Sequence, residues 1–197
     1  MAHPGVDLIR SFLGDRASEV IPVEERRANL EALAGSVPAP PGVEVTALTV
    51  AGRPAERSVP VVVDGPGTVL YLHGGGYVSG SLDTHRGLAG RIALAARRPV
   101  VSLDYRLAPE HPFPAGLDDA VAAVRELQAD GPVAVAGDSA GGGLTMAVLL
   151  TLRDAGGEQP VAGLCLSPWV DLTHSGDSHV SRAEADPMLS TETLVDM

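Results

Sequence analysis

The chain has 197 residues with 14 basic and 25 acidic side chains, a formal net charge of −11. Every basic residue is arginine, which excludes a Walker-type phosphate lysine, a Schiff-base lysine and a Ser-x-x-Lys nucleophile pair. The acidic excess argues against a nucleic-acid backbone or an anionic membrane as partner, and the single Cys165 excludes an internal disulfide and a cysteine zinc site.

Residues 1–40 carry apolar positions at helical spacing over Val6–Leu13 and Val23–Leu33, the second run opened by Pro22 and closed by Gly35. Nothing after Met1 resembles a signal peptide, and no apolar run reaches membrane-spanning length, so a cytoplasmic location without a membrane span is expected. A proline-rich break, Pro38–Gly42, leads into the alternation of Val43, Val45, Ala47 and Thr49, a half-buried strand. A poorer strand is predicted over Pro54–Val63, ending at the turn Asp64-Gly65-Pro66-Gly67.

From Thr68 onward short apolar runs alternate with helical segments. Buried strands are predicted at Thr68–Leu72, Val100–Leu103, Val133–Ala136 and Val161–Leu166, with Cys165 as a buried thiol in the last. The helices between them carry a stripe of Leu88, Ile92 and Ala95 closed by Arg97 and Arg98, a stripe of Leu117, Ala120, Val121, Val124 and Leu127, and a run from Ser139 to Asp154 ending at Gly156-Gly157. Alternation of strand and helix at this rhythm predicts an α/β fold: a largely parallel sheet with helices on both faces and an N-terminal helical appendage.

Two motifs carry chemistry. Gly137-Asp138-Ser139-Ala140-Gly141 follows a predicted strand and opens a helix, the setting a G-x-S-x-G nucleophile elbow requires. The alternative is a capped helix start with no catalytic role. His73-Gly74-Gly75-Gly76 follows the strand Thr68–Leu72; the dinucleotide pattern fails, since the sixth position from Gly74 is Ser79. Acyl transfer uses such a run to bring backbone N–H donors close to an oxyanion. Here the donors are expected to be the N–H groups of Gly74, Gly75 and Ala140, with Ser139 as nucleophile and His73 orienting the loop.

Four stretches together resemble the hormone-sensitive-lipase-like carboxylesterase branch of the α/β-hydrolases: Tyr71–Tyr77, Asp104-Tyr105-Arg106-Leu107-Ala108-Pro109-Glu110, Gly137–Gly142 and Leu166-Ser167-Pro168-Trp169. The resemblance implies an α/β-hydrolase fold, a small-molecule ester or lactone substrate, an acyl-enzyme on Ser139, and neither cofactor nor metal. Residues 1–40 resemble a helical cap segment, residues 41–197 the hydrolase core, and residues 173–197 within it the start of a second cap segment. Ile9, Phe12 and Leu13 are the substrate-pocket candidates. Arg106 is expected to pair with Glu110, and His111 to be a hydrogen-bonded loop histidine.

In this family the acid and the base follow the serine in the chain. Only His174 and His179 follow Ser139; they are substitute bases at most, and with Asp177 they match no metal-site spacing. Asp186 lies 47 residues past Ser139, too near for the family's acid, and Ser190 is expected to cap a helix beyond it. The last strands and the triad Asp and His are therefore expected beyond Met197. That leaves Val161–Leu166 as a sheet edge, with association or a homodimer through it expected. A non-catalytic binding module of the same fold is the alternative function, and an amidase is not separable by sequence.

Overall fold

The computed structural model describes residues 20–35, 37–186, 188–195 and 197. Ile9, Phe12, Leu13 and the helix expected over Val6–Leu13 lie outside the described residues. One compact unit spans Val23–Val170; the remaining described residues, 20–22 and 171–197, fall to a second.

In the first unit, α1 (Val23–Ala34) precedes β1 (Val43–Val50), β2 (Arg53–Pro60) and β3 (Thr68–Leu72). Then α2 (Leu82–Ala96), β4 (Val100–Leu103), α3 (Ala115–Gln128), β5 (Val133–Asp138), α4 (Ala140–Asp154) and β6 (Ala162–Leu166) alternate. The sheet order is β1-β2-β4-β3-β5-β6. Strands β4, β3, β5 and β6 run parallel, and β1 and β2 add an antiparallel margin, so the sheet is mixed. Strand β2 stops at Pro60, short of the expected Val63, because its partner β1 runs out at Val43; Val61, Val62 and Val63 are exposed.

Alternation along the central strands divides the core between two faces. Leu70, Leu72, Val101, Leu103, Val133 and Val135 pack with α3 and α4 residues such as Val124, Leu144 and Val148 on one side. Tyr71, Val100 and Ala136 pack with Ala89 and Ala93 of α2 on the other. The predicted stripe on α2 holds at Leu88 and Ile92, which are half-buried and pack against this second cluster, but not at Ala95, which is exposed; the fully buried positions are Thr84, Ala89, Ala93, Gly87 and Gly90. Small residues win there because the segment Val37–Pro40 lies directly on Gly87 and Gly90. Ser81 and Thr84 form a capping box at the start of this helix, and Arg97 caps its end in a left-handed conformation.

Strand β6 has one strand neighbour among the described residues, β5, and its first three residues are exposed. The expected edge is present, but the expected burial of Val161–Leu166 is not: Cys165 is half-buried, and Val161 and Leu164 face solvent. The second unit holds α5 (Ser178–Ser181), a 3₁₀ turn at Ala183–Ala185 and α6 (Thr191–Val195). Ser190 Oγ accepts from Thr193 N, the helix cap that the sequence predicts. No helix of the described residues is long and apolar enough to cross a membrane.

Candidate active site

Strand register builds the site. Leu72 of β3 pairs with Gly137 of β5, so the carboxyl ends of the two strands stop side by side, and His73–Gly74 lies against Asp138–Ser139. Ser139 joins β5 to α4 at φ 52° and ψ −120°, a conformation that costs a non-glycine residue about 1–3 kcal/mol. Backbone bonds hold it there. Ser139 N donates to Leu166 O (2.9 Å), while Gly143 N (3.0 Å) and Trp169 N (2.9 Å) both donate to Ser139 O. A Cβ at Gly141 would strike the carbonyls of Leu72 and His73, so the elbow closes only with glycine there. Ser139 is half-buried, and Ala140 behind it, fully buried, begins a 15-residue helix whose first N–H groups lack intrahelical acceptors.

The glycine loop departs from expectation at one position. Gly74 N donates to Asp138 Oδ1 at 3.0 Å, so this N–H is committed to the elbow and is not open to a substrate. Gly75 (φ 126°) and Gly76 (φ 67°) follow in backbone conformations that L side chains rarely adopt. Neither N–H makes a hydrogen bond among the described residues, although Gly76 is buried. An orphaned buried donor is rare, and here it is that of Gly76, with the unpaired N–H of the half-buried Gly75 beside it. Spacing alone could not distinguish the three glycines; what selects them is the carboxylate of Asp138.

Asp138 is the junction of the site. Its Oδ1 accepts from Tyr71 Oη (2.5 Å) and Gly74 N and lies 3.5 Å from His85 Nε2. Burial would raise this carboxyl, but the bonds from His85, Tyr71 and Gly74 outweigh it and hold it below the ordinary carboxylate range. Tyr71 is pushed far up by burial and by the adjacent Asp138 charge, so it stays a neutral donor. Sequence reading missed Asp138, Tyr71 and His85. The only available signals were an acid inside the G-x-S-x-G motif and a tyrosine two residues before the glycines.

His73 is buried, stacks on Tyr105 with ring centroids 4.4 Å apart, and directs Nδ1 to Gly74 O at 2.8 Å. Burial pushes its pKa down to about 4, so the imidazole is neutral near pH 7 and orients the loop, as the sequence suggests. Tyr105 Oη donates to His73 O at 2.7 Å.

One expected contact is replaced by two. Arg106 does not pair with Glu110; it forks onto the buried Asp119 of α3 (Nη2 to Oδ1, 2.7 Å), whose carboxylate also takes Arg106 N (2.9 Å). Glu110 pairs instead with Arg27 of α1. The prolines around His111 turn the chain so that Asp119, one turn into α3, meets Arg106. His111 itself is exposed, and its backbone N donates to Leu107 O at 2.9 Å. In the second unit the His174 and His179 rings meet edge to face at 5.2 Å. No group of three metal-ligating side chains is found among the described residues.

A family model described as alpha/beta hydrolase fold matches residues 69–197. An acetyl-hydrolase of Streptomyces hygroscopicus is 42% identical over 202 residues, covering 98% of this chain and 66% of the relative. A carboxylesterase of Mycobacterium tuberculosis, NlhH, is 44% identical over 143 residues, 68% of this chain and 44% of the relative. The crystal structure of an esterase from the bacterial hormone-sensitive lipase family superposes with a TM-score of 0.91 at 41% identity, covering all of this chain and 68% of that one. The chain belongs to the α/β-hydrolase family, in its hormone-sensitive-lipase-like branch. It spans less than two thirds of the length of the curated relatives it matches.

Proposed function

We propose that the protein is a serine carboxylesterase acting on short or medium acyl esters or small lactones. The observation that carries this reading is the strained Ser139 at the start of a buried helix, beside a loop whose Gly75 and Gly76 N–H groups have no internal acceptor. Ser139 Oγ attacks the ester carbon, and the N–H groups of Gly75, Gly76 and Ala140 receive the negative oxygen. The C–O bond to the alcohol then breaks, and the alcohol departs with the proton that Ser139 Oγ gave up on attack, leaving an acyl-Ser139 that water cleaves to the carboxylic acid and free Ser139. Gly76 replaces Gly74 in the donor set.

The compact unit Val23–Val170 offers no free imidazole as base: His73 is buried and neutral, His85 is bonded to Thr84 and faces Asp138, and His111 is an exposed loop residue. We therefore keep the triad acid and base outside this unit. The names of the relatives favour a hydrolase over a binding module. A cytoplasmic location stays part of the proposal, supported by the single cysteine.

The test is labelling by a fluorophosphonate probe, read by intact mass, beside hydrolysis of an aryl acetate. Without the base labelling should be slow: one adduct on the wild type after prolonged incubation and none on Ser139→Ala is expected, and labelling indifferent to that substitution overturns the reading. Hydrolysis by this chain alone should be residual, about 10³–10⁴-fold over water, as when a triad member is missing. Full rates abolished by Ser139→Ala would put a base inside the chain, and His174→Ala and His179→Ala would locate it. We also propose self-association along β6, supported by the exposed Val161 and Leu164. Sedimentation showing only monomer at high concentration rules that out.

A further inference from the structure

Helix α1 contributes no buried residue, so apolar burial does little to seat it. Arg27 supplies directional contacts instead. Its Nε donates to Val78 O at 2.7 Å and Nη2 to Ala108 O at 3.0 Å, and Nη1 and Nη2 grip the Glu110 carboxylate at 2.7 and 2.8 Å.

Val78 belongs to the turn that carries the unpaired donors. Val78 N and Ser79 N both donate to Gly75 O, at 3.3 and 2.9 Å, and Ser79 Oγ adds a third bond to it at 2.7 Å. Ala108 N donates to Tyr77 O at 2.9 Å, so the segment that Arg27 also holds is itself tied to the glycine loop. One guanidinium thus joins α1, the Gly75–Ser79 turn and the Ala108–Glu110 segment.

An isolated surface ion pair would mean little, but two of the acceptors here are backbone carbonyls. The planar fork suits this arrangement; the compact ammonium of a lysine does not reproduce its geometry.

We propose that Arg27 is a positioning residue for the oxyanion-donor loop, fixing the Gly75–Ser79 turn through the Val78 carbonyl and so tying the aim of the Gly75 and Gly76 N–H groups to the N-terminal helix. The proposal rests on the reading of those two groups as donors. It assigns α1 a role in loop geometry without any contact to substrate.

The test is hydrogen exchange read by mass spectrometry on this chain, wild type beside Arg27→Met, Arg27→Lys and Glu110→Gln, together with the rate of fluorophosphonate labelling at Ser139. Arg27→Met should speed exchange at Val78 and Ser79 by about tenfold while β3 and β5 stay protected. Labelling should slow by about tenfold, the loss expected when oxyanion donors are misaimed rather than removed. Arg27→Lys should not restore either value, and Glu110→Gln should give a smaller change because both carbonyl bonds remain. Faster exchange confined to α1, or spread evenly over the chain, overturns the proposal, as does unchanged exchange in the turn. If Arg27→Met fails to fold, Arg27→Lys and Glu110→Gln decide by the same criterion. If the wild type is not labelled at Ser139, the catalytic reading fails, and the exchange arm still decides whether Arg27 holds the turn.

Discussion

The nucleophile elbow and the glycine loop end adjacent parallel strands, yet they are held by different means. The elbow is a backbone device: Ser139 is fixed by bonds to Leu166, Gly143 and Trp169, and its glycines permit contacts that a side chain would forbid. The glycine loop is held mainly by side chains that arrive from elsewhere: Asp138 on Gly74 N, Tyr105 on His73 O, and Arg27 on Val78 O. Both hold a non-glycine residue at positive φ, Ser139 (52°) and Tyr77 (63°), but the first is over-determined by a short local sequence and the second depends on partners distant in the chain. The two are joined at one atom, Asp138 Oδ1.

The comparison breaks most easily at the elbow. Gly141→Ala would drive a methyl group into the Leu72 and His73 carbonyls, neither of which can retreat without opening β3. A cost of about 3 kcal/mol or more is expected, measured by urea unfolding. Stability close to wild type would show that the elbow backbone is free to move, and the contrast with the glycine loop would be lost.

The glycine loop should reveal itself through pH. His73 titrates near 6.5 when unfolded and is pushed down to about 4 when folded, by burial. The unfolded chain therefore binds the extra proton between those values. The contribution of the neutral imidazole is complete above pH 6.5 and is lost as pH falls through about 4. The loss amounts to up to about 3 kcal/mol. His73→Asn, which keeps a donor near the Nδ1 position, should flatten this part of the stability curve; an unchanged slope would assign the acid sensitivity to the carboxylates instead.

The junction itself should give the smallest change in stability. Asp138→Asn keeps an acceptor near Gly74 N and Tyr71 Oη but removes the charge, and about 2 kcal/mol is expected in denaturant unfolding. Labelling of Ser139 should slow several-fold at the same time. Slower labelling with stability unchanged would mean that Asp138 serves the loop alone and not the packing beneath it.

Much of this architecture was legible in the chain. Strands β3, β4 and β5 were readable because each is a short apolar run bounded by turn residues, and α4 because Gly137–Gly141 announces a strand-to-helix turn. The reading of α2 held at Leu88 and Ile92 but failed at Ala95, which is exposed, and overlooked a second buried face at Gly87 and Gly90. A periodicity argument weighs hydrophobicity, and the neighbour, Val37–Pro40, demanded small volume instead. Cys165 and β6 were misjudged as buried because an apolar run reports the propensity of a strand and not whether a further element covers it.

The partners of Arg106 and Glu110 show the same limit in electrostatic form. Both residues sit in one short segment, and proximity in sequence suggested that they pair. In the fold, a helix residue and a residue of the N-terminal helix claimed them, Asp119 and Arg27. By itself the sequence determined the parallel core, the place of Ser139 and the presence of a glycine loop, because these depend on local backbone freedom and on the pattern of apolar residues. Only the tertiary structure decided which glycine N–H groups remain open. That choice depends on a carboxylate reaching across from the neighbouring strand, and a hydrogen bond between residues 64 positions apart leaves no mark on local composition.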